Sequence, residues 1–337
     1  MTNLCSEVRA ADDASVDKQI ECNMIDISET NQSSMNPFLL EIEPTNVCNL
    51  RCDVCCWSNP EFSRGNPRHM SFELLRRIID TYDYKFRTIQ FCGTCEPTMN
   101  PNLPDMIRYA ASRAGRATIE LITNGTLLTP KLGSAIVNAG LTRLKVSLDG
   151  PDEDTYHSIR HSNLMSVLKN LEIFVASTDV DVSINCVVTS INLERLQDFP
   201  RLAASLGVHS LEFRLFEGGA ISGDHLAVYD TAALEEISEC VHNMCMEYGI
   251  ECNFWKLESR TKTECALLRD VHINFRGQLT PCFNLPDLAI SQVLGDIPFS
   301  QIWESQSTQK LRKKIVSREY LPECNCVMAI INSKVNT

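Results

Sequence analysis

Three cysteines stand close together in a segment that directly follows a short apolar stretch at residues 38–43. Cys48, Cys52 and Cys55 have the spacing Cys-x3-Cys-x2-Cys. Thiolates are the usual protein ligands of iron–sulfur clusters, and a tight loop with three of them can bind three irons of one [4Fe–4S] cube. Because three ligands leave the fourth iron open, this spacing predicts a cluster that can bind a second molecule.

The other cysteines bear on which metal is bound. The chain has 16 cysteines and no export signal, so metal ligation is a better interpretation of clustered cysteines than disulfides. Cys52 and Cys55, together with Cys92 and Cys95, could form the two knuckles of a zinc site, although the gap between the pairs is longer than in a zinc ribbon. Cys56 is not expected to be a fourth ligand, because consecutive side chains of an extended loop point apart. Iron–sulfur ligation is favoured, and zinc remains the alternative.

The composition limits the compartment and the partners of the chain. It has 337 residues, 44% of them hydrophobic, which is enough for one large core with a smaller appendage. A formal net charge of −12 without a clustered basic patch argues against nucleic-acid binding. No apolar run has the length of a membrane span, and the polar N-terminus lacks the features of a secretory signal. We expect a cytoplasmic protein without a membrane partner, whose residues 1–36 form a disordered leader.

Short apolar strands alternate with amphipathic helices from Pro37 onward. Six consecutive strand–helix units predict a parallel sheet with right-handed crossovers, and six are too few for a closed eight-stranded barrel. The predicted fold class is therefore α/β, a partial (β/α)6 barrel over residues 37–248 with its chemistry at the carboxyl ends of the strands. The predicted strands are residues 38–43, 88–92, 118–123, 143–149, 181–189 and 210–216, and the predicted helices are residues 72–82, 103–114, 164–176, 192–206 and 231–248, with one more that begins at Pro130.

The pattern changes after residue 248. Residues 271–275 and 278–281 flank Arg276-Gly277 and predict a β-hairpin, and residues 302–316 predict a helix. Cysteines cluster again in this part of the chain, at positions 265, 282, 324 and 326. We therefore predict a small second domain over residues 249–337, for which a zinc hairpin is one possible structure.

The first cysteine group and its setting resemble the radical S-adenosylmethionine superfamily. The resemblance lies in the Cys-x3-Cys-x2-Cys motif after the first strand of a six-unit β/α array, and it spans about residues 38–216. It implies that Cys48, Cys52 and Cys55 hold a [4Fe–4S] cluster whose open iron binds S-adenosylmethionine. Electron transfer into the sulfonium would release a 5′-deoxyadenosyl radical, which abstracts a hydrogen atom from the substrate. The family usually has an aromatic residue before the third cysteine, where this chain has Val54.

Three further residues match positions that contact the cofactor in this family. The segment Gly93-Thr94-Cys95-Glu96-Pro97 is similar to the Gly-Gly-Glu-Pro segment of the family, which implies that Glu96 accepts a hydrogen bond from the ammonium group of S-adenosylmethionine. The resemblance also places Ser147 against the cofactor. It places Arg160 near the cofactor carboxylate, where a bidentate guanidinium is suitable. A solvated turn at Glu96 and an exposed salt bridge at Arg160 are the alternatives.

The C-terminal cysteines resemble the Twitch auxiliary-cluster domain, a shorter relative of the SPASM domain. The similarity lies in Cys265, in the segment from Gly277 to Cys282, and in the terminal pair Cys324 and Cys326. It implies that these four cysteines hold an auxiliary [4Fe–4S] cluster. The terminal pair is spaced Cys-x-Cys where relatives often have Cys-x-x-Cys, which leaves open whether both of its members are ligands.

The same resemblance implies a class of reaction. Twitch relatives oxidise carbinol carbons of aminoglycoside precursors, and others epimerise a carbon with a hydrogen atom from a thiol. We expect a radical dehydrogenase or epimerase of antibiotic biosynthesis that acts on a small, possibly cationic substrate such as a cyclitol or amino sugar. An external one-electron reductant such as a flavodoxin or ferredoxin would supply the electron. A peptide maturase and a non-catalytic iron–sulfur electron carrier are the alternatives.

Cys186, on the predicted fifth strand, is a candidate donor of that hydrogen atom. Strand alternation groups it with Ile184 and Val188, on a face that could look toward the helices. A buried cysteine of the hydrophobic core is therefore the competing interpretation. Lesser candidates for the donor are Cys95, Cys245 and Cys252.

Overall fold

The computed structural model describes residues 38–56, 65–83, 85–216, 226, 228, 231–255, 270–281, 288–292 and 297–316. Helices and strands alternate along them, and the predicted α/β fold class with a parallel sheet is confirmed. The predicted leader, residues 1–36, lies outside the described residues. Among the helices that are described, none has both the length and the hydrophobicity that crossing a lipid bilayer requires.

One sheet organises the described part of the chain. Its strands are β1 (Leu39–Ile42), β2 (Thr88–Phe91), β3 (Thr118–Thr123), β4 (Arg143–Ser147), β5 (Asp181–Val188), β6 (Ser210–Leu215), β7 (Glu251–Trp255), β8 (Asp270–Ile273), β9 (Gln278–Thr280) and β10 (Ser291–Gln292). They lie in the order β10-β9-β8-β1-β2-β3-β4-β5-β6-β7. All neighbours from β8 to β7 are parallel, whereas β9 pairs antiparallel with both β8 and β10.

Helices connect the parallel strands and cover one face of the sheet. They are α1 (Phe72–Asp80), α2 (Leu103–Arg113), α3 (Pro130–Asn138), α4 (Glu153–Arg160), α5 (Leu164–Ala176), α6 (Phe199–Leu206), α7 (Thr231–Tyr248), α8 (Phe299–Trp303) and α9 (Gln306–Val316). Side-chain caps start several of them as the sequence predicts. Ser71 Oγ accepts from Leu74 N at 3.1 Å, and Thr129 Oγ1 accepts from Leu132 N at 3.3 Å.

Two predicted helices differ from the observed ones. Residues 192–206 form a 3₁₀ helix (Leu193–Asp198) followed by α6, because Pro200 in the first turn of α6 cannot continue a preceding helix. Residues 302–316 belong to α8 and α9, and Ser305 Oγ accepts from Thr308 N at 3.4 Å in the turn between them. In both cases a local cap or proline interrupts a pattern that is helical on each side.

Each parallel strand has one apolar face and one polar face. The apolar face packs against the helices and forms the core, whose largest fully buried side chains include Trp303, Tyr156, Phe91, Phe199 and Phe213. On the other face the strand register aligns polar residues from strand to strand: Glu41 with Gln90 and His272, Gln90 with Glu120, Lys145 with Ser183, and Asn185 with Glu212. We call this polar side of the sheet the inner face.

The sheet curves so that the inner face is concave. Cys92 follows β2, and its thiol interacts electrostatically with Arg214 on β6, four strands away. Neighbouring strands lie ~4.8 Å apart, so a flat sheet would separate these strands by roughly 19 Å. Lys145 Nζ on β4 also lies 2.7 Å from Glu212 Oε1 on β6. These contacts across the sheet agree with the predicted partial barrel.

The segment beyond residue 248 contributes to the same sheet. β7 pairs in parallel with β6, and β8 pairs in parallel with β1 at the opposite edge. The parallel part of the sheet is therefore longer than the six strands predicted. The predicted hairpin is confirmed: β8 and β9 are antiparallel, and Gly277 takes a φ of +77° in the turn between them.

Candidate metal centre

The segment with the three cysteines begins where β1 ends, at the carboxyl edge of the sheet. The chain at Thr45 and Asn46 is held by the segment that precedes α1. Thr45 Oγ1 lies 2.9 Å from His69 Nδ1, and Asn46 Oδ1 accepts from Arg68 N at 2.6 Å. Asn46 N in turn donates to Arg68 O at 3.1 Å. The start of the loop is therefore fixed by backbone and side-chain bonds before the first thiol.

Local turns bring the three thiols together. Cys55 N donates to Cys52 O at 3.0 Å, and Leu50 N donates to Cys48 Sγ at 3.4 Å. The sulfurs of Cys48, Cys52 and Cys55 are close enough to interact electrostatically with one another. In this arrangement the loop presents three soft ligands on one side.

The three thiols are a donor set that fits an iron–sulfur cube. Among the residues with described positions, no three His, Cys, Asp or Glu side chains converge on one point as a single metal ion requires. A cube does not require such convergence, because each thiolate binds a different iron atom. Burial raises the pKa of Cys48 to about 11 and that of Cys52 to about 12, and ligation of a metal would deprotonate both thiols.

Cys56 lies closer to the group than we expect from an extended loop. Its Sγ is 4.0 Å from Cys55 Sγ. The backbone turns at this point, so that consecutive side chains do not point apart as they would in an extended segment. Cys56 therefore does not point away from Cys55, and its orientation gives no reason to reject it as a ligand.

Two other loops at the same edge of the sheet hold the loop of thiols. Asn124, after β3, donates through Nδ2 to Asn49 Oδ1 at 2.9 Å, and Asn49 Nδ2 donates to Thr126 Oγ1 at 2.8 Å. From the end of α4, Ile159 O accepts from Asp53 N at 2.9 Å, and His161 Nε2 lies 2.8 Å from Asp53 Oδ1. The thiols are thus positioned by β1, β3 and α4 together.

Glu96 lies beside this loop and is 2% exposed. Its Oε1 accepts from Thr98 N at 3.1 Å and from the hydroxyls of Thr98 and Thr123 at 2.6 Å, and its Oε2 accepts from Asn124 N at 2.7 Å. Burial nevertheless raises the pKa of Glu96. The charge of Glu96 also acts on the thiol of Cys48. The solvated turn that we considered is therefore not observed, and the role of Glu96 toward the cofactor stays a prediction.

The backbone before Glu96 approaches β1 very closely. Gly93 has a φ of +130°, and a Cβ at this position would meet Glu43 Cγ and Oε1 at 2.6 Å. Glu43 Oε1 also accepts from Thr94 N and from Thr94 Oγ1, both at 3.1 Å. Glycine is thus required at position 93. Cys95, two residues later, is a half-buried cysteine at a position where the similar segment of the family has glycine.

Arg160 is buried in an ion pair. Its Nε donates to Asp149 Oδ2 at 2.7 Å, and the side chains are 9% and 0% exposed. The charges of both residues act on the thiol of Cys52. The exposed salt bridge that we considered is wrong, since the pair lies inside the protein next to the candidate ligands. Ser147, the remaining predicted contact, lies on the inner face in register with Asn185.

Cys186 lies on the apolar side of β5, as the strand alternation indicates. It is 1% exposed and belongs to the hydrophobic core. Its Sγ accepts from Asn192 Nδ2 at 3.6 Å. Burial raises its pKa well above the ordinary value. This placement favours the packing interpretation of Cys186 over the hydrogen-donor interpretation.

The inner face holds charged residues that we did not predict as site residues. Lys145 Nζ lies 2.7 Å from Glu212 Oε1 and 3.5 Å from Glu120 Oε2, and Gln90 Nε2 donates to Glu120 Oε1. Arg214 lies 3.6 Å from Glu212. Alternation of charged and apolar residues along β1, β3, β4 and β6 is the signal in the sequence, and it is equally typical of a solvent-exposed face.

The four cysteines of the predicted auxiliary cluster, at positions 265, 282, 324 and 326, lie outside the described residues. The hairpin between the first two is described. Asn274 Oδ1 in its turn accepts from Arg276 N at 3.0 Å and from Gln278 N at 3.1 Å. The ligand set of this cluster therefore stays a prediction.

Comparison with known protein families gives two matches. Residues 42–203 match the radical SAM superfamily, and residues 265–327 match the SPASM iron–sulfur cluster-binding domain. The first match begins in β1 and includes Cys48, Cys52, Cys55, Glu96 and Arg160. The second includes all four C-terminal cysteines. The two domains imply an S-adenosylmethionine-binding [4Fe–4S] cluster, S-adenosylmethionine itself and an auxiliary cluster.

Individual proteins that match this chain share only a low sequence identity with it. The chain is 25% identical over 261 residues to the tungsten-containing aldehyde ferredoxin oxidoreductase cofactor-modifying protein of Pyrococcus furiosus, covering 72% of this chain and 70% of that protein. It is 27% identical over 172 residues to the mycofactocin maturase MftC of Mycolicibacterium smegmatis, covering 51% and 43%. The fold is similar to that of Streptococcus suis SuiB bound to its precursor peptide SuiA, with a TM-score of 0.67, 16% identity, and 87% and 70% coverage. Residues 42–203 of this chain are thus a radical SAM domain, and residues 265–327 are a SPASM-type iron–sulfur cluster-binding domain.

Proposed function

We propose that this radical SAM protein removes a hydrogen atom from a carbinol carbon of a small, polar, amine-bearing substrate such as a cyclitol or an amino sugar. Cys48, Cys52 and Cys55 would hold the first cluster, with Glu96 and Arg160 beside it. When bound, the cluster and S-adenosylmethionine supply the 5′-deoxyadenosyl radical that takes the hydrogen atom. The outcome would be oxidation or epimerisation of that carbon.

The observation that carries this proposal is the charge of the inner face. A substrate in a partial barrel reaches the cofactor from the concave side of the sheet. Carboxylates outnumber cations among the described residues there. The carboxylates are Glu41, Glu43, Glu120, Asp181, Glu212, Glu251 and Asp270, and the cations are Arg143, Lys145 and Arg214. A concave surface with excess negative charge favours a cationic ligand over a neutral or anionic one.

The inner face also holds a cluster of paired charges. Lys145 is tied to both Glu120 and Glu212, and its side chain is only 10% exposed. Buried charges persist only when they are paired in this way. Lys145, Glu120 and Glu212 therefore form ion pairs with one another. Glu43 directly follows β1. It lies nearer the loop of thiols than Glu41, which is in register with Gln90 and Glu120, and it is the carboxylate that we assign to the ammonium group of the substrate.

Hydroxyl groups of the substrate would meet neutral polar side chains. Ser183 and Asn185 on β5 are on the inner face, and Ser147 lies beside Asn185 in the register. A cyclitol or an amino sugar offers a donor and an acceptor at nearly every carbon, which matches a surface of this kind. An aliphatic substrate would leave these groups without partners at a cost of about 1–3 kcal/mol each.

The C-terminal cysteines would then decide what happens to the substrate radical. An auxiliary cluster held by Cys265, Cys282 and the pair Cys324 and Cys326 can accept an electron, which would make the overall reaction a two-electron oxidation. An external one-electron donor, such as a flavodoxin or ferredoxin, is required to start each cycle. Without electron loss, the radical must regain a hydrogen atom.

The test is anaerobic reconstitution with iron and sulfide, followed by incubation with S-adenosylmethionine and titanium(III) citrate. Formation of 5′-deoxyadenosine is measured with a panel of aminocyclitols and amino sugars, each paired with its N-acetyl derivative as a neutral control. We expect amines to raise the rate above the substrate-free rate and the N-acetyl derivatives not to. Equal stimulation by both members of each pair would reject the cationic-substrate proposal. Absence of 5′-deoxyadenosine from cluster-loaded protein would instead favour an electron carrier.

A peptide maturase is the second candidate. It is favoured by the similarity to the mycofactocin maturase MftC, which is 27% identical to this chain over 172 residues. A peptide would lie across the mouth of the barrel and not within it. Stimulation of 5′-deoxyadenosine formation by a synthetic peptide encoded beside this gene, with no response to the amine panel, would decide for this candidate.

A further inference from the structure

Cys92 presents a thiol to the inner face of the sheet. It directly follows β2, and its N donates to Ile42 O at 3.0 Å, so the parallel ladder continues through it. The register pairs Phe91 with Ile42 and therefore places Cys92 beside Glu43, on the same face as Gln90. Cys186 on β5 has the opposite orientation and lies in the hydrophobic core.

Charged groups surround the Cys92 thiol from several strands. Its Sγ lies 4.0 Å from Glu41 Oε1. Glu43 and Glu120 also act on it electrostatically, as does Arg214 from the opposite side of the curved sheet. A thiol that interacts with β1, β3 and β6 at once faces the concave interior and not a helix.

The hydroxyl of Ser183 is a second buried polar group on the inner face, at the same level as Cys92. The register aligns Cys92 with Ile122, Lys145 and Ser183 in one row around the sheet. Ser183 is 2% exposed, and within the described part of the chain its Oγ makes no hydrogen bond. Buried hydroxyls are normally paired, so this one is available to a polar ligand that lies at the level of Cys92.

We propose that Cys92 donates a hydrogen atom to the carbon radical of the substrate, so that the reaction is an epimerisation. This inference rests on the proposed function. The C–H bond of the substrate is broken first, and its hydrogen atom leaves in 5′-deoxyadenosine. The S–H bond of Cys92 then breaks as a new C–H bond forms on the other face of the carbon, leaving a sulfur radical. One electron from the external reductant and one proton, delivered through Glu41, restore the thiol.

Donation of a hydrogen atom requires that the Cys92 thiol is protonated. Burial, followed by the charge of Glu41, raises the pKa of Cys92 well above its ordinary value, so that the S–H bond is present at neutral pH. A thiolate would have no hydrogen atom to give. The nearby carboxylate thus keeps the donor protonated and lies within reach to return a proton after each cycle.

The first test needs no substrate. The cluster-loaded enzyme is treated with methyl methanethiosulfonate, a small thiol reagent, and the labelling rates of Cys92 and Cys186 are followed by peptide mass spectrometry. The reaction is run at alkaline pH to ionise a larger fraction of both thiols, so that access decides the rates. Because Cys92 is 8% exposed and faces the interior of the barrel, whereas Cys186 is 1% exposed in the packed core, we expect Cys92 to react at least about tenfold faster. Equal rates would overturn the inference whatever the substrate is.

The second test follows hydrogen in D2O, in buffer free of small thiols. It uses the amine of the panel that most stimulates 5′-deoxyadenosine formation by the wild-type enzyme. We expect one deuterium at the inverted carbon with the wild type and none with Cys92→Ser or Cys92→Ala, while 5′-deoxyadenosine still forms. Two variants are used so that one that fails to load its clusters can be set aside. Label that persists in the loaded variants, or that is lost in Cys186→Ala instead, would overturn the assignment.

Failure of the proposed function looks different from failure of this inference. If no amine in the panel stimulates 5′-deoxyadenosine formation, the proposed substrate class is wrong, and the labelling rates alone decide whether Cys92 faces the interior. If an amine is converted by the wild type without uptake of deuterium, the substrate class stands. The reaction is then an oxidation, and the role of Cys92 is rejected.

Discussion

Asp149 Oδ2 accepts from Arg160 Nε at 2.7 Å, and this pair joins the end of β4 to the end of α4 inside the protein. The other oxygen of Asp149 accepts from Val187 N on β5 at 2.8 Å. The pair also lies next to Cys52. One buried ion pair therefore connects two strands, a helix and the candidate cluster loop.

We predict that Asp149→Asn destabilises the protein by about 3–5 kcal/mol, because it leaves a buried guanidinium without its counter-charge. The measurement is the midpoint of anaerobic urea unfolding, followed by circular dichroism on cluster-loaded protein. Glu73→Gln, which removes one of the two acidic partners of Arg76 at the surface, is the control and should leave the midpoint unchanged. An equally small effect of both substitutions would contradict the prediction.

Glu96→Gln should weaken binding of S-adenosylmethionine. If Glu96 accepts from the ammonium group of the cofactor, loss of its charge removes about 1.5–3 kcal/mol, which is roughly a ten- to hundredfold increase in Kd. The amide would also set its NH2 group against the N–H of either Asn124 or Thr98. Equilibrium dialysis with labelled S-adenosylmethionine measures the Kd, and circular dichroism checks the fold.

Glu153→Gln is the matched control for this prediction. Glu153 also accepts from a backbone N–H, that of Leu164 at 3.0 Å, but it stands at the start of α4 and has no expected role toward the cofactor. We expect its Kd to equal that of the wild type. A Glu96 variant that is folded and binds the cofactor normally would remove Glu96 from the site.

Local signals in the sequence predict part of this architecture. The observed bounds of α5 and α7 agree with the prediction at both ends, and Asn163 caps α5 through a 2.9 Å bond to Ser166 N. The thiol loop is also local, because its three cysteines lie within eight residues. Such features depend on neighbours in the sequence, so the sequence alone carries enough information to find them.

Features that depend on pairing between distant segments are not predicted. β7 has the sequence Glu-Cys-Asn-Phe-Trp, which is a weak strand pattern, and it forms because β6 offers a parallel edge. Cys92 and Ser183 come from strands far apart in the chain, and only the sheet register shows that they share one level of the inner face. The polar alternation of these strands is visible in the sequence, but the curvature that turns it inward is not.

Gly93→Ala should destabilise the protein by about 1–3 kcal/mol, because it combines an unfavourable backbone conformation with steric overlap. The added Cβ would meet Glu43 Cγ and Oε1 at 2.6 Å. Gly115→Ala is a matched control: Gly115 also has a positive φ, of +63°, but nothing lies within 4 Å of its Cβ position. The midpoint of urea unfolding should fall further for position 93. If both variants shift it equally, backbone strain alone accounts for the effect.

Iron content should separate the two predicted clusters. Wild-type protein reconstituted under anaerobic conditions should bind about eight irons per chain, and substitution of the ligands of either cube should lower this to about four. The triple variant Cys48→Ala, Cys52→Ala, Cys55→Ala should lose the first cube and all 5′-deoxyadenosine formation. Cys282→Ala should lose the auxiliary cube and keep cofactor cleavage without substrate.

The single variants Cys324→Ala and Cys326→Ala then identify which member of the terminal pair is a ligand. A ligand's removal should reduce the iron bound by the auxiliary cube, or convert it to a form with a changed electron paramagnetic resonance spectrum, because one iron loses its thiolate. Removal of a bystander should change neither. Both cysteines lie in the segment matched to the SPASM domain. If neither variant changes the iron content or the spectrum, neither cysteine on its own is a required ligand of the auxiliary cube.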